Sequence, residues 1–271
     1  MYHDLLETAL AAARAGADRL RAMWDQEVAV EHKQRFDFVT SADLASQEAV
    51  LEVISRRHPH HAILAEETAG DFAAAQAEQG HLWVVDPLDG TTNFLHGYPQ
   101  VAVSVGVLLE GLPVAGVVEH VTRREVFSAS RGGGAFLDSR PLRVKGMPEP
   151  EQTLILTGFP FREQELLDRY LALFKEIFQR VGGMRRAGAA ALDLADLAAG
   201  RAQGFWELGL KPWDLAAGIL LVEEAGGVVS GFLDHASPLW TGDVVAGEPA
   251  THPWLREMCA RHFADLPELR G

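Results

Sequence analysis

An α+β half followed by an α/β half is the fold class that this 271-residue sequence predicts. Three observations carry the prediction. The first 57 residues hold two stretches of helical periodicity, and residues 61–130 then hold a series of short apolar runs with the spacing of strands. From Leu154 onward, strand-like and helix-like segments alternate, as they do in α/β units. Between the two textures lies a cluster of turn formers, Pro141, Gly146, Pro148 and Pro150. The expected subdomains are therefore 1–145 and 146–271.

Each element follows from its local pattern. Residues 4–24 read as an amphipathic helix, because Leu5, Leu6, Ala9, Leu10, Ala13, Ala17 and Leu20 recur at helical spacing. Residues 42–57 read as a second helix with Leu44, Val50, Leu51, Val53 and Ile54 turned inward. Residues 61–66 and 82–85 read as strands that end in acids. Residues 101–109 and 112–121 flank Glu110-Gly111 and read as a hairpin. Residues 125–130 add a strand, and Gly132-Gly133-Gly134 marks a turn. In the second half, 154–157 reads as a strand, 163–179 as a helix and 189–199 as a helix of small residues. Residues 204–207 read as a strand, 215–225 as a helix, and 227–230 and 244–246 as short strands.

Composition excludes several classes of function. No apolar stretch approaches the roughly 20 residues that a membrane helix needs. Asp4 and Glu7 among Leu5, Leu6 and Leu10 make the N-terminus amphipathic and acidic, unlike a secretory signal. Cys259 is the single cysteine, which rules out an internal disulfide and a thiolate zinc cage and fits a reducing cytoplasm. The formal charge of −14 argues against nucleic-acid binding, which needs a basic footprint. A chain this anionic must create a local positive region to handle a phosphate ester. Divalent cations held by clustered carboxylates do that.

The densest chemical signal is Trp83-Val84-Val85-Asp86-Pro87-Leu88-Asp89-Gly90-Thr91-Thr92-Asn93-Phe94. A buried apolar run ends in two carboxylates, and two carboxylates facing one point repel unless a hard cation lies between them. Gly90-Thr91-Thr92 offers backbone N–H groups and hydroxyls, as a helix start does, where an anion docks. Three other segments also end an apolar element in a carboxylate: Asp37 to Asp43, Glu66-Glu67-Thr68, and Trp213-Asp214-Leu215-Ala216-Ala217-Gly218.

These segments, in this order, resemble the inositol monophosphatase family of lithium-sensitive, Mg²⁺-dependent sugar phosphatases, over nearly the whole chain. Asp86 to Phe94 resembles the family's first signature. Trp213 to Gly218, with Glu224-Ala225-Gly226-Gly227, resembles its second. The resemblance implies a layered αβαβα sandwich of the inositol monophosphatase and fructose bisphosphatase type, with the active site between the two subdomains. It implies two to three Mg²⁺ ions. Glu66, Asp86 and the Leu88 carbonyl would hold one, Asp86, Asp89 and Asp214 a second, and Asp43 with Glu66 a third, mostly through water. A water acidified by the ions would attack phosphorus, oriented by Thr91 with Glu66 or Asp43, and no covalent enzyme intermediate is needed. Gly90 and Thr91 would hold the phosphate, while Asp89 and Glu207 would accept hydrogen bonds from substrate hydroxyls. The segment Arg185 to Ala191 corresponds to a substrate-contact stretch that includes Ala190, and relatives often carry Ser or Thr at the position of Ala189. Lys33 to Asp37 resembles a mobile loop near the third ion. A homodimer and sensitivity to lithium complete the implied picture.

Plainer readings exist for each residue alone. Asp214 suits a helix N-cap, Asp43 a first-turn acid, Glu66-Glu67 a solvated strand end, and Asp86 and Asp89 turn positions. They fail jointly, because all four would have to fall in the family's order by accident. His58, His60 and His61 read as a solvated helix-end cluster, and His96 as a loop residue or part of the site's mouth. Gly132 to Gly134 lacks the ending of a phosphate loop, and Trp206 and Trp213 read as core. The expected function is Mg²⁺-dependent hydrolysis of myo-inositol monophosphates. A fructose-1,6-bisphosphatase or broad sugar phosphatase is the enzymatic alternative, and a non-catalytic dimeric binding partner the other.

Overall fold

A computed structural model describes residues 2–34, 37–70, 72–147, 149–161, 163–233 and 237–265, with the side chains of 31–37 outside the description. The first half runs α1 (His3–Met23), β1 (Val30–Gln34), β2 (Asp37–Thr40), α2 (Ser41–Arg57), β3 (Ala62–Ala65), a 3₁₀ turn (Glu66–Thr68) and α3 (Phe72–Ala77). It continues with β4 (His81–Asp89), α4 (Thr91–Leu95), β5 (Ala102–Leu109), β6 (Leu112–His120), β7 (Glu125–Ser130), β8 (Gly134–Leu137) and β9 (Arg140–Pro141). The second half runs β10 (Leu154–Thr157), α5 (Leu167–Phe178), β11 (Gly183–Arg185), α6 (Ala190–Ala198), β12 (Gly204–Glu207) and α7 (Pro212–Glu224). It closes with β13 (Val228–Ser230), α8 (Pro238–Thr241), β14 (Val244–Gly247) and α9 (Thr251–Phe263).

Among the described residues, β3 to β9 form one sheet in sequence order, with β3 and β4 parallel and the other pairs antiparallel. A second mixed sheet has the order β11-β10-β12-β14-β13. Strand alternation sends side chains to opposite faces and so builds three cores. Trp83 and Val85 face α1 and α2, whereas Leu82 and Val84 face α6 and α7. In the second sheet Phe205 points to α6 and α7, while Trp206 points to the core under α5 and α9. The result is the expected layered arrangement, helices–sheet–helices–sheet–helices. Helix α7 lies close on the large sheet because Gly106 and Gly116 lack side chains. A Cβ at Gly106 would stand 2.6 Å from Ala216 Cβ, and one at Gly116 2.9 Å from Ala217 Cα.

Several local expectations change. Leu44 is 51% exposed, whereas Val50 and Ile54 are buried, so the inward face of α2 is narrower than its apolar content suggests. Strand β4 does not stop at Val85 but continues to Asp89. Helix α7 begins at Pro212 instead of 215, since proline is suited to the first helical position. Of the expected loop Lys33 to Asp37, Lys33 and Gln34 belong to β1 and Asp37 to β2, which pair antiparallel, and Arg35 and Phe36 lie outside the described residues. His60 is exposed as expected, while the partly buried His58 and His61 also stack, and His61 in turn stacks on His81, with ring centroids 4.7 and 4.4 Å apart; Trp83 Nε1 donates to His61 Nδ1 at 3.1 Å.

Candidate metal centre and substrate cleft

The site begins with strand register. Ala65 lies opposite Val85 in the parallel pair β3–β4, so Glu66 and Asp86 follow side by side. Asp86 stands opposite Ser104, and Asp89 opposite Ala102, so β4 takes three steps where β5 takes two. Residues three apart in a regular strand face opposite sides. The extra residue of this bulge lets both carboxylates reach one point. Pro87 sits in the bulge, where it costs no ladder hydrogen bond, and its carbonyl accepts from Ser46 Oγ at 2.7 Å. Asp86 Oδ1 accepts from the Leu88 N–H at 2.9 Å, and Asp89 Oδ2 from the Ala191 N–H at 2.8 Å, at the start of α6.

Asp214 arrives from the other half. It lies in the first turn of α7, where its Oδ2 accepts from the Lys211 N–H at 2.7 Å. Its neighbour Trp213 is buried, and the Trp213 carbonyl accepts from Ser104 Oγ at 3.1 Å. Ser104 on β5 is the strand partner of Asp86 on β4, so one hydroxyl ties the two acid-bearing segments together. Asp86, Asp89 and Asp214 each present an oxygen within 4.8 Å of the others. Burial first, and then the charges of Glu66, Asp89 and Asp214, push Asp86 well above the usual carboxylate range. Burial and Asp214 push Asp89 up to about 7. An all-oxygen, buried and mutually repelling donor set fits a hard divalent cation such as Mg²⁺.

Asp43 lies behind this centre. Thr40 caps α2, and Asp43 Oδ2 accepts from the Thr40 N–H at 2.8 Å in a capping box. The Thr91 hydroxyl donates to Asp43 Oδ1 at 3.0 Å. Asp43 is fully buried and reaches the site through Thr91, and burial raises its carboxyl above the ordinary value. Gly90, with φ of 95°, is the N-cap of α4. A Cβ there would meet the Gln100 carbonyl at 2.8 Å, so glycine is required on both counts.

The acids open into a cleft of ≈ 350 Å³ between the halves, the size of a sugar-scale ligand site. Glu66, Leu88, Gly90, Thr91, Ala189, Ala190 and Glu207 all line it. His96 does not; it ends α4 and lines a separate hollow with Asp25 and Val28. Arg186, within the stretch Arg185 to Ala191, also lines the cleft. The sequence reading missed other wall residues: Phe38, Gly158, Phe161 and Asp193. It also missed the role of Asn93, whose Nδ2 donates to the carbonyls of Gln100 at 2.8 Å and Ala187 at 3.0 Å and so joins α4 to the approach of α6. The acidic type of Asp193 was a usable signal, hidden by its place in a helix of small apolar residues.

Comparison with known proteins bears on this geometry. The sequence model described as "Inositol monophosphatase family" matches residues 1–266. A Pseudomonas aeruginosa protein named Nus factor SuhB is 45% identical over 248 residues, covering 90% of this chain and 91% of the relative. Inositol-1-monophosphatase of Synechocystis sp. is 40% identical over 256 residues, covering 94% and 88%. The solved structure of inositol monophosphatase from Anabaena superposes with a TM-score of 0.84 at 38% identity, covering 95% of each chain.

Proposed function

Because the chain belongs to the inositol monophosphatase family, we propose that it is a Mg²⁺-dependent phosphomonoesterase that hydrolyses myo-inositol monophosphates. The observation that carries this reading is the convergence of Asp86, Asp89 and Asp214 from two halves of the chain on one buried point beside a sugar-sized cleft. Asp86, Asp89 and Asp214 would hold one ion, and Glu66, Asp86 and the Leu88 carbonyl another, with Asp43 and Glu66 reaching a third through water. Bound there, Mg²⁺ supplies charge neutralisation for the phosphate and acidifies water at neutral pH.

The chain's own groups do the rest. The Thr91 hydroxyl donates to Asp43, which leaves its lone pairs facing the cleft to accept from the attacking water. Asp43 is thus a positioning residue, acting through Thr91. Glu66 faces the cleft as a second acceptor for that water. The N–H groups at the start of α4 receive the phosphate oxygens, and Glu207 and Asp89 receive hydroxyls of the polyol. Ala189 and Ala190 offer no hydroxyl, so this wall selects by shape and backbone. The same reading carries a cytoplasmic homodimer inhibited by lithium, with fructose 1,6-bisphosphate and other sugar phosphates as the competing substrates. None of the described helices is long and apolar enough to cross a membrane.

Asp214→Asn should reduce Mg²⁺-dependent phosphate release from inositol 1-phosphate by at least about a hundredfold with an unchanged circular dichroism spectrum. Turnover within a few-fold of wild type in that variant would refute the metal assignment. Relatives named Nus factor favour a second reading beside the first, association with another macromolecule. Co-purification with the Asp89→Asn protein tests it, and no specific partner would remove it.

A further inference from the structure

Asp193 is an acidic wall residue that the metal-and-phosphate chemistry leaves unused. It lies in the first turn of α6, is 2% exposed and borders the cleft. Among the described residues, no hydrogen bond reaches its carboxyl. Its carboxyl is buried close to the charges of Glu207 and Asp89, with the Arg186 guanidinium as a partial offset, so a hydroxyl donor arriving in the cleft finds an acceptor there. The ordinary alternative is a first-turn acid that serves the helix start. Here that duty is already filled, because the Asp89 carboxylate takes the N–H groups of Ala190, Ala191 and Leu192.

Glu207 completes the pair, and its position depends on a glycine. Thr157 lies opposite Trp206 in the parallel strands β10 and β12, so Gly158 and Glu207 leave the sheet together. The Glu207 carboxylate lies directly over Gly158; a Cβ there would stand 1.8 Å from Glu207 Oε1. Across the wall, the Arg186 guanidinium sits over the Phe161 and Phe159 rings at 5.0 and 5.5 Å from their centroids. Two carboxyl groups against one guanidinium suit the hydroxyl donors of a neutral ring and disfavour a second phosphate.

We propose that Asp193 is a specificity-determining residue, paired with Glu207 over Gly158, which makes the far end of the cleft accept a neutral polyol and reject a second anionic group. The inference rests on the phosphomonoesterase reading above. Its test is the ratio of kcat/KM for inositol 1-phosphate over fructose 1,6-bisphosphate, measured on the full chain with Mg²⁺. The wild type should prefer the inositol ester. Asp193→Asn and the smaller Asp193→Ser should lower the ratio about tenfold, chiefly through a higher KM for the inositol ester. Gly158→Ala, which displaces Glu207, should move it the same way. A wild type that prefers the bisphosphate, or folded Asp193 variants whose ratio stays within about twofold of wild type, would overturn this inference and leave the phosphatase reading standing. A wild type that releases phosphate from neither ester would overturn both.

Discussion

Asp86 and Asp89 pull against the stability of the chain that carries them. Each is buried among other acids, and burial with repulsion holds Asp89 near 7 and Asp86 well above its ordinary value. A carboxyl raised on folding contributes stability below its unfolded pKa, and that contribution is lost as pH rises to the folded value. The metal-free protein should therefore lose stability between the ordinary value of 3.8 and about 7. Thermal melts in EDTA should give a lower Tm at pH about 7.5 than at pH about 5.5, and Asp89→Asn should flatten that difference. An unchanged slope in the variant would show that Asp89 is not among the groups responsible. At this scale the sequence was informative for Asp86, Asp89 and Asp214, because turn chemistry and apolar flanks single them out. It was silent on Gly158, and for Asp193 it offered only the acidic residue type. Nothing in a helix of alanines and leucines says that one carboxyl faces a cleft, and nothing beside Gly158 says that a distant glutamate lies on it.

Helix α1 is strapped to the large sheet by a buried acid. Glu119 on β6 is fully buried and meets Arg14 Nε at 3.0 Å and the guanidinium of Arg21. Arg21 Nε also donates to the Val121 carbonyl at 3.0 Å. Removing the acid would leave the largely buried Arg21 without its main partner, so Glu119→Ala should cost about 3 kcal/mol, read as a lowered urea midpoint. A loss below about 1 kcal/mol would mean that apolar packing of α1 alone holds it. Most elements were legible from periodicity, including α1, the β5–β6 hairpin and α6. Those missed have physical explanations. In α9, Leu255, Met258, Cys259 and Phe263 are buried at helical spacing, but Pro253 in the first turn reads as a break. The hairpin β1–β2 and the short strands β8 and β9 carry little local signal, since pairing partners and not periodicity create them.

Across the whole molecule, the acidic cluster of the candidate metal centre joins the layers. Asp86 and Asp89 belong to the large sheet, and Asp214 to α7, which lies between the two sheets. An ion held by all three would bind the folded chain and not the unfolded one. Mg²⁺ at a hundredfold excess over its Kd should therefore add about 2.7 kcal/mol of stability, seen as a rise in Tm that EDTA reverses. Asp214→Asn should abolish most of that rise; a full rise in the variant would place the ion elsewhere. The order of helices and strands predicted an α+β half followed by an α/β half, and the family resemblance supplied the layering. The acids of the candidate centre were likewise legible in the sequence, because they lie in short segments whose order and flanking turns survive without a fold. Only the tertiary structure decided how those acids meet, through a bulge in β4, the early start of α7 at Pro212, and Ser104 bridging the two. It alone also decided the far wall of the cleft. Gly158 follows β10, Asp193 lies in α6 and Glu207 ends β12, and residues brought together by packing leave no pattern along a chain.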